Sequence, residues 1–408
     1  MKKENIITVL DIGASKVCCL IGLPKKDNLI DVLGYGIVHH DYLKHGVVVD
    51  IKGFSETINK AVCAAEEVSG KKIHSVYFNI CGSHIRGLRS HGEVIISDRD
   101  NEITKRDLDR VMSSARSIHM PYERDIIYTV KRGFVVDGEK GIVNPVGMFG
   151  LKLETDLYLV TGRISSIDNI KKAIRQAGIP VKDSVISGIA SSTALLSPHE
   201  KDLGVVLVDI GADMTEILIF FEGALVHLSV LAMGGDSITK AISEKFCMPE
   251  GAAERIKIEN GTLDEDRKSG DITLKVDSQR VKIPSDELKS LLLAEYSKIF
   301  DAIRKDITDS GFGQEVSSGV VVCGQPTMMD GCLELAELKL NFPVKMGHIM
   351  GLGSSPKPLP SHIYAAGMGL LKYARDAKLS KRSLLTMSPK NLAMAVIERA
   401  RNLYNDYF

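Results

Sequence analysis

Apolar and polar positions follow two rhythms along the chain. Residues 6–10, 15–22 and 30–38 are short apolar runs separated by polar or glycine-bearing turns, which predicts a meander of strands. Positions 54–70 (FSETINKAVCAAEEVSG) switch to a helical period and stop at Gly70, and another strand is expected over 73–81. From about 84 to 163 the chain reads as a self-contained unit. It has a strand at HGEVIISD, a helix from Thr104 and strands near 125–136 and 153–161, with a helix at 166–178 after them. Thr104 and Asp107 have capping-box spacing, and Leu108, Val111, Met112 and Ala115 make one apolar face. KDLGVVLVDIG at 201–211 then restarts the opening pattern. A long helix is predicted from Pro284, a residue suited to a first turn, to about Asp309. Its apolar residues Leu288, Leu291, Leu292, Ile299, Ile303 and Ile307 keep helical spacing. Positions 374–390 show no sustained pattern and read as a linker before a final helix.

This alternation of strands and helices is that of an α/β protein. The 408 residues, 44 % apolar and 25 % charged, suit a soluble protein of two to four domains. Lys+Arg and Asp+Glu both number 52, so no overall basic field argues for nucleic acid. Seven cysteines without metal-ligand spacing read as buried or idle thiols of a reducing cytoplasm. The apolar run before Asp11 is too short for a signal sequence, and no run reaches membrane-spanning length.

One tetrapeptide changes the picture. DIGA stands at 11–14 and again at 209–212, 198 residues later, each time after a strand-like apolar run and before another. Glycine lets such a turn approach a ligand, and successive turn N–H groups make an anion-binding concavity. An aspartate before the turn can hold Mg²⁺ through water. Two such hairpins facing across a cleft would grip a nucleotide's phosphates and metal from both sides. Chance repetition in two unrelated hairpins is the other reading.

Two weaker signals lie downstream. EGAAERIKIENG puts Glu254 and Lys257 on one helix face, suited either to a ribose and adenine or to a plain ion pair. SSGVVVCGQPTMMDG places Gly324 and Gln325 in a turn after a strand. In this order, the motifs resemble the actin, sugar-kinase and chaperone ATPase superfamily. SVISGIASSTAL (184–195) and HIYAAGMGLLKYA (362–374) look like its two small-residue helices that cross between lobes. LDIGASKV and the 84–163 segment, with GIVNPVGMFGLKLE, closely resemble the bacterial FtsA cell-division family.

That resemblance implies a two-lobed actin-like (ribonuclease-H-like, duplicated) α/β fold with an inserted subdomain, called 1C. Its implied boundaries are 1–83 with 164–198 and 363–374 for 1A, and 84–163 for 1C. They continue with 199–232 and 310–362 for 2A, 233–309 for 2B, a linker at 375–390 and a terminal helix at 391–408. ATP with Mg²⁺ would be held by Asp11, Gly13, Ala14, Ser15 and Lys16 and by Asp209, Gly211, Ala212, Asp213 and Thr215. Gly234, Gly235, Glu254, Lys257, Gly324 and Gln325 complete the set, with Asp11 and Asp209 holding the metal through water.

The turns depart from the family pattern. Ala212 and Asp213 stand where glycines are usual, Ala14 where a hydroxyl residue is, and Gly324-Gln325-Pro326 where a glycine run is. Each loss costs on the order of 1 kcal/mol, so three together weaken nucleotide binding by about a hundredfold. Asp209 and Glu216 are the candidate catalytic groups, and at most a slow ATPase is expected.

NLAMAVIERARNLYNDYF (391–408) is amphipathic. Leu392, Val396, Ile397, Leu403, Tyr404, Tyr407 and Phe408 share one face of the helical wheel, suited to a membrane interface or to packing on a protein surface. Lys372, Arg375, Lys378, Lys381, Arg382 and Lys390 precede it against Asp376, and each cation near anionic lipid adds about 1 kcal/mol. In the FtsA family this helix is the anchor on the cytoplasmic face of the inner membrane at the division site. The resemblance also implies actin-like filaments, recruitment of later divisome proteins, and docking of the FtsZ C-terminal peptide on 2B. There Lys298, Arg304 and Lys305 either meet that acidic peptide or form an ordinary solvated face. An actin-fold phosphotransferase and a pilus or secretion adaptor of the same fold are the alternatives.

Overall fold

The computed structural model describes residues 5–356 and 364–385, less residues 98, 99, 265, 268, 269, 277 and 278. The opening apolar runs form β1 (Ile7–Ile12), β2 (Lys16–Pro24) and β3 (Ile30–His39). A two-residue pair, β4 (Leu43–Lys44) and β5 (Val47–Val48), leads into α1 (Ile51–Ser69). Asp50 caps α1 by accepting the Lys52 N–H, and Gly70 ends it at φ 63°. β6 (Val76–Ile80) returns parallel to β1.

The inserted unit is a sheet of its own: β7 (Arg86–Ile95), β8 (Arg124–Val136), β9 (Glu139–Ile142) and β10 (Lys152–Arg163), in the order β7-β10-β8-β9. α2 (Lys105–Arg116) covers one face, and its capping box between Thr104 and Asp107 is formed as the spacing requires. Val111 and Ala115 are buried there, with Leu108 and Met112 packed at the margin.

α3 (Ile164–Gln176) and β11 (Val181–Ile186) return to the first sheet, whose order is β11-β6-β1-β2-β3. α4 (Ser187–Leu195) and α5 (Pro198–Leu203) then lead to β12 (Val205–Ile210), β13 (Thr215–Phe221) and β14 (Ala224–Leu231). With β17 (Val320–Cys323) and β18 (Val344–Met346) these form a second sheet, β18-β17-β12-β13-β14. The two orders match strand for strand. In each, the DIGA strand pairs antiparallel with the next strand and parallel with a later one.

Between β14 and β17 come α6 (Gly235–Lys245), α7 (Glu250–Asn260), the hairpin β15 (Ile272–Val276) and β16 (Gln279–Ile283), and α8 (Ser285–Asp309). α8 buries Leu288, Leu292, Ile299, Ile303 and Ile307, and Pro284 sits at its N-cap rather than inside its first turn. α9 (Cys332–Leu340) and α10 (Ala365–Leu385) complete the order. The seven cysteines are free thiols.

α4 and α10 are the two small-residue helices, and they cross at contact distance. A Cβ on Gly369 would lie 1.8 Å from the Ala190 carbonyl oxygen, so only glycine permits this approach. Residues 184–186, read as part of the first of these helices, are the end of β11. α10 also runs on to Leu385, through part of the segment read as a linker. Ala, Arg, Lys and Leu dominate 374–385 without Gly or Pro, so a helix seeded by buried residues propagates there on propensity alone. The cationic stretch is also smaller than its sequence suggests. Lys372 is buried and donates to the Thr193 carbonyl at 3.2 Å, while Arg375 donates to the Asn28 carbonyl and pairs with Asp376, both at 2.8 Å. Lys390 and the helix read at 391–408 lie outside the described residues.

Candidate nucleotide site

The two DIGA turns are closed in the same way. The Gly13 N–H donates to the Lys16 carbonyl at 2.9 Å, and the Gly211 N–H donates to the Met214 carbonyl at 2.8 Å. Donor and acceptor are both displaced by the 198 residues that separate the aspartates. The cross-strand partners match too, Asp11 opposite Cys18 and Asp209 opposite Glu216.

Each aspartate is steadied by the parallel neighbour strand and by α4. The Asn79 amide donates to Asp11 Oδ1 at 2.9 Å and to Ser187 Oγ at 3.1 Å, while its Oδ1 accepts the Ile12 N–H at 2.6 Å. Ser191, one turn along α4 from Ser187, donates to Asp209 Oδ2 at 2.9 Å. The thiol of Cys323, opposite Asp209 on β17, bonds the same carboxylate.

The turns face each other, and their charges show it. Burial raises the Asp11 carboxyl to about 6, with Lys16 opposing and the charge of Asp209 adding. Burial raises Asp209 as well, against Ser191, Cys323 and Lys16. Glu216 is pushed up to about 8 by burial and then by Asp209, and its Oε1 is buried with no hydrogen-bond partner among the described residues. Lys16, whose Nζ lies 5.1 Å from the Tyr364 ring centroid, acts on both aspartates. Asp11 and Asp209 share the one lysine, Lys16, and a divalent cation would relieve the negative charge that remains.

The remaining residues sit around the second turn. The Gly235 N–H donates to the Gly211 carbonyl at 3.0 Å, and the Asp236 N–H to the Ala212 carbonyl at 2.7 Å. A Cβ on Gly234 would lie 2.6 Å from both turn carbonyl oxygens. Glu254 and Lys257 share a helix face as expected and pair at 2.5 Å. Lys257 is buried, however, and its Nζ donates to the Gly235 carbonyl at 2.9 Å and to Thr239 Oγ1 at 2.6 Å, tying α7 to the start of α6. Thr215 is fully buried and donates its hydroxyl to the Met233 carbonyl at 2.8 Å. Gly324 has φ 98°, and a Cβ there would lie 2.0 Å from the Ile210 carbonyl oxygen, so packing alone demands glycine. Gln325 follows on the exposed side. Ala14 and Ser15 are half-buried in the first turn, where the Ser15 carbonyl accepts the His40 N–H at 3.0 Å.

Asn79, Ser187, Ser191 and Tyr296, whose hydroxyl donates to the Pro326 carbonyl at 2.8 Å, were not singled out from the sequence. Asn79 carried a readable signal, as the one amide in the otherwise apolar strand VYFNI. Lys298, Arg304 and Lys305 are not part of this site. They are exposed on α8, where Lys298 pairs with Glu295 at 2.6 Å and Arg304 meets the Lys339 carbonyl at 3.5 Å.

Residues 82–161 match the family model described as the SHS2 domain inserted in FTSA, and residues 206–369 match that of the cell division protein FtsA. The chain is 35 % identical to the cell division protein FtsA of Pseudomonas aeruginosa, over 91 % of this chain and 90 % of that one. The chain belongs to the FtsA family. The FtsA protein of Bacillus subtilis is 30 % identical, over 94 % of this chain and 87 % of that one. Among solved structures, this FtsA-family chain resembles the PilM–PilN type IV pilus biogenesis complex, with a TM-score of 0.64 at 15 % identity over 92 % of this chain and 99 % of that one. It also resembles MreB5 of Spiroplasma citri bound to AMPPNP, with a TM-score of 0.57 at 12 % identity over 93 % and 99 %. At such identities the likeness speaks for the fold alone. The fold is actin-like, with the inserted sheet characteristic of FtsA.

Proposed function

We propose that this cell-division protein is a nucleotide-controlled adaptor that binds Mg·ATP between its two sheets. The observation that carries this reading is the pair of like-built turns whose buried aspartates, Asp11 and Asp209, share Lys16 as their cation. Asp11 and Asp209 would hold Mg²⁺ through water and Lys16 would neutralise phosphate oxygens, with the turn N–H groups not bonded within the turns facing the phosphate path. Nucleotide then acts as a clamp on the two lobes and controls assembly into actin-like filaments. The helix at 391–408 attaches these filaments to the cytoplasmic face of the inner membrane at the division site. There the protein tethers the FtsZ C-terminal peptide, with Lys298, Arg304 and Lys305 on the docking face, and recruits later divisome proteins.

An enzyme of the same fold is the weaker reading. Glu216 would be the base, yet a carboxyl held near 8 is largely protonated at neutral pH and cannot accept a proton. A pilus or secretion adaptor is separated by which cytoplasmic tail it binds. Titration of the full chain with a fluorescent ATP analogue and Mg²⁺ tests the proposal. Binding is expected, with at least a tenfold loss in Lys16→Ala, about 1.4 kcal/mol. No binding at millimolar nucleotide overturns it, and phosphate release faster than about 1 per second favours the enzyme.

A further inference from the structure

The inserted sheet ends, beside the first sheet, in a group of arginines that form no ion pair among the described residues. Antiparallel pairing sets Arg86 opposite Thr161 and Arg124 opposite Arg163. Thr161 and Arg163 are two apart on β10, so all four side chains belong to one face. Like charges directly opposite each other destabilise a strand pair. Arg124 Nη2 donates to the Thr161 carbonyl at 3.1 Å and to its hydroxyl at 2.7 Å, which holds it inside the group. Burial, then the charges of Arg86 and Arg163, lower its pKa, and Glu123 is the acid that opposes them. Among the described residues no carboxylate forms an ion pair with Arg86, Arg124 or Arg163.

α3 begins at the same point. Arg163 is its N-cap, no side chain caps it, and its first turn holds no acidic residue. A cation there opposes the helix dipole, while an oxyanion at a helix amino end is favoured. His84, 5 % exposed, lies against the backbone below: its Nδ1 accepts the Arg163 N–H at 3.2 Å. That bond leaves the ring proton on Nε2, which is buried, near the Gly46 backbone, with no well-formed hydrogen bond among the described residues. Burial, then Arg163 and Arg124, push the His84 pKa down to about 4, so the ring is neutral at pH 7.

We propose that Arg86, Arg124 and Arg163, with the amino end of α3, form a phosphate-binding site at the seam of the inserted and first sheets, apart from the nucleotide cleft. Guanidinium groups recognise phosphate oxygens through paired hydrogen bonds, and three of them match a dianion better than a single carboxylate. The phosphate is either free inorganic phosphate or a small phosphomonoester. Bound, it joins the ends of β7, β8 and β10 to α3 and fixes the inserted sheet against the first.

The test is thermal melting of the full chain in millimolar inorganic phosphate, or glycerol phosphate, with ionic strength held constant by chloride. Wild type, Arg163→Gln, Arg86→Gln and the cleft variant Lys16→Ala are compared. Phosphate is expected to raise the melting temperature of wild type and Lys16→Ala by about 2 °C or more. Both arginine variants should lose that response and melt above wild type in phosphate-free buffer, because the repulsion is relieved. A stronger response to glycerol phosphate identifies an ester ligand, and a stronger response to inorganic phosphate identifies the free ion. An equal response in the arginine variants, its loss in Lys16→Ala alone, or no response in wild type overturns the proposal.

Discussion

The carboxylate of Asp213 accepts the backbone N–H of His45 at 2.5 Å, linking the second turn to the loop between β4 and β5. The His45 imidazole Nδ1 stands 3.6 Å from the same oxygen. In the second turn, Asp213 puts a side chain where a glycine would leave the backbone bare, and that side chain bridges the two halves. Burial raises its pKa, while the His45 N–H and ring oppose that rise.

Asp213→Gly is therefore expected to strengthen Mg·ATP binding by about tenfold, or 1.4 kcal/mol, by removing a carboxylate from the phosphate path. Nucleotide titration of the variant checks this. Weaker binding would mean that the His45 link holds the halves in the binding posture.

Glu216 makes stability depend on pH. Its folded pKa is about 8 against an ordinary value of 4.5, so the folded chain holds the extra proton between those limits. Unfolding releases that proton, and stability falls as pH rises from 4.5 to 8, by at most about 1.4 kcal/mol per pH unit. Asp11, raised from 3.8 to about 6, adds the same sign over its own window. Denaturant unfolding without nucleotide should show Glu216→Gln more stable than wild type at pH 8, with the gap closing towards pH 4.5. A constant gap at all pH values would contradict the buried proton.

Gly324→Ala should cost about 3 kcal/mol, since it combines a left-handed backbone position with a clash against the Ile210 carbonyl. The melting temperature reads this without any ligand. An unchanged value would show that the β17 turn yields easily, which would make it a poor wall for a base.

Removing residues 391–408 should release the chain from anionic liposomes in a sedimentation assay, while nucleotide binding persists. One amphipathic helix gives reversible attachment, and assembly multiplies it by about 10²–10⁴. Equal sedimentation of the truncated chain would place the anchor elsewhere.

Much of this was legible in the order of residues. The DIGA repeat, its flanking apolar runs, the capping box at Thr104 and the small-residue helices are local patterns, set by turn chemistry and side-chain period. From these the two like sheets and their facing turns follow. The extent of α10 was not legible, because propensity carries a helix where no apolar period marks it. Nor were the contacts of Lys257, read as a ribose or adenine contact or a plain ion pair, and of Lys372 and Arg375, read as cations near lipid, all of which donate to backbone carbonyls.

The amino-acid sequence by itself determined that two similar strand–turn–strand units exist and which aspartates they carry, because hydrogen bonding within a turn depends on neighbouring residues. Only the tertiary structure decided how Asn79, Ser187 and Ser191 steady those aspartates, and that Asp213 turns to His45. It also decided that Arg86, Arg124 and Arg163 share one face. Burial and electrostatic coupling are properties of residues distant in the chain, and they arise only when packing brings those residues together.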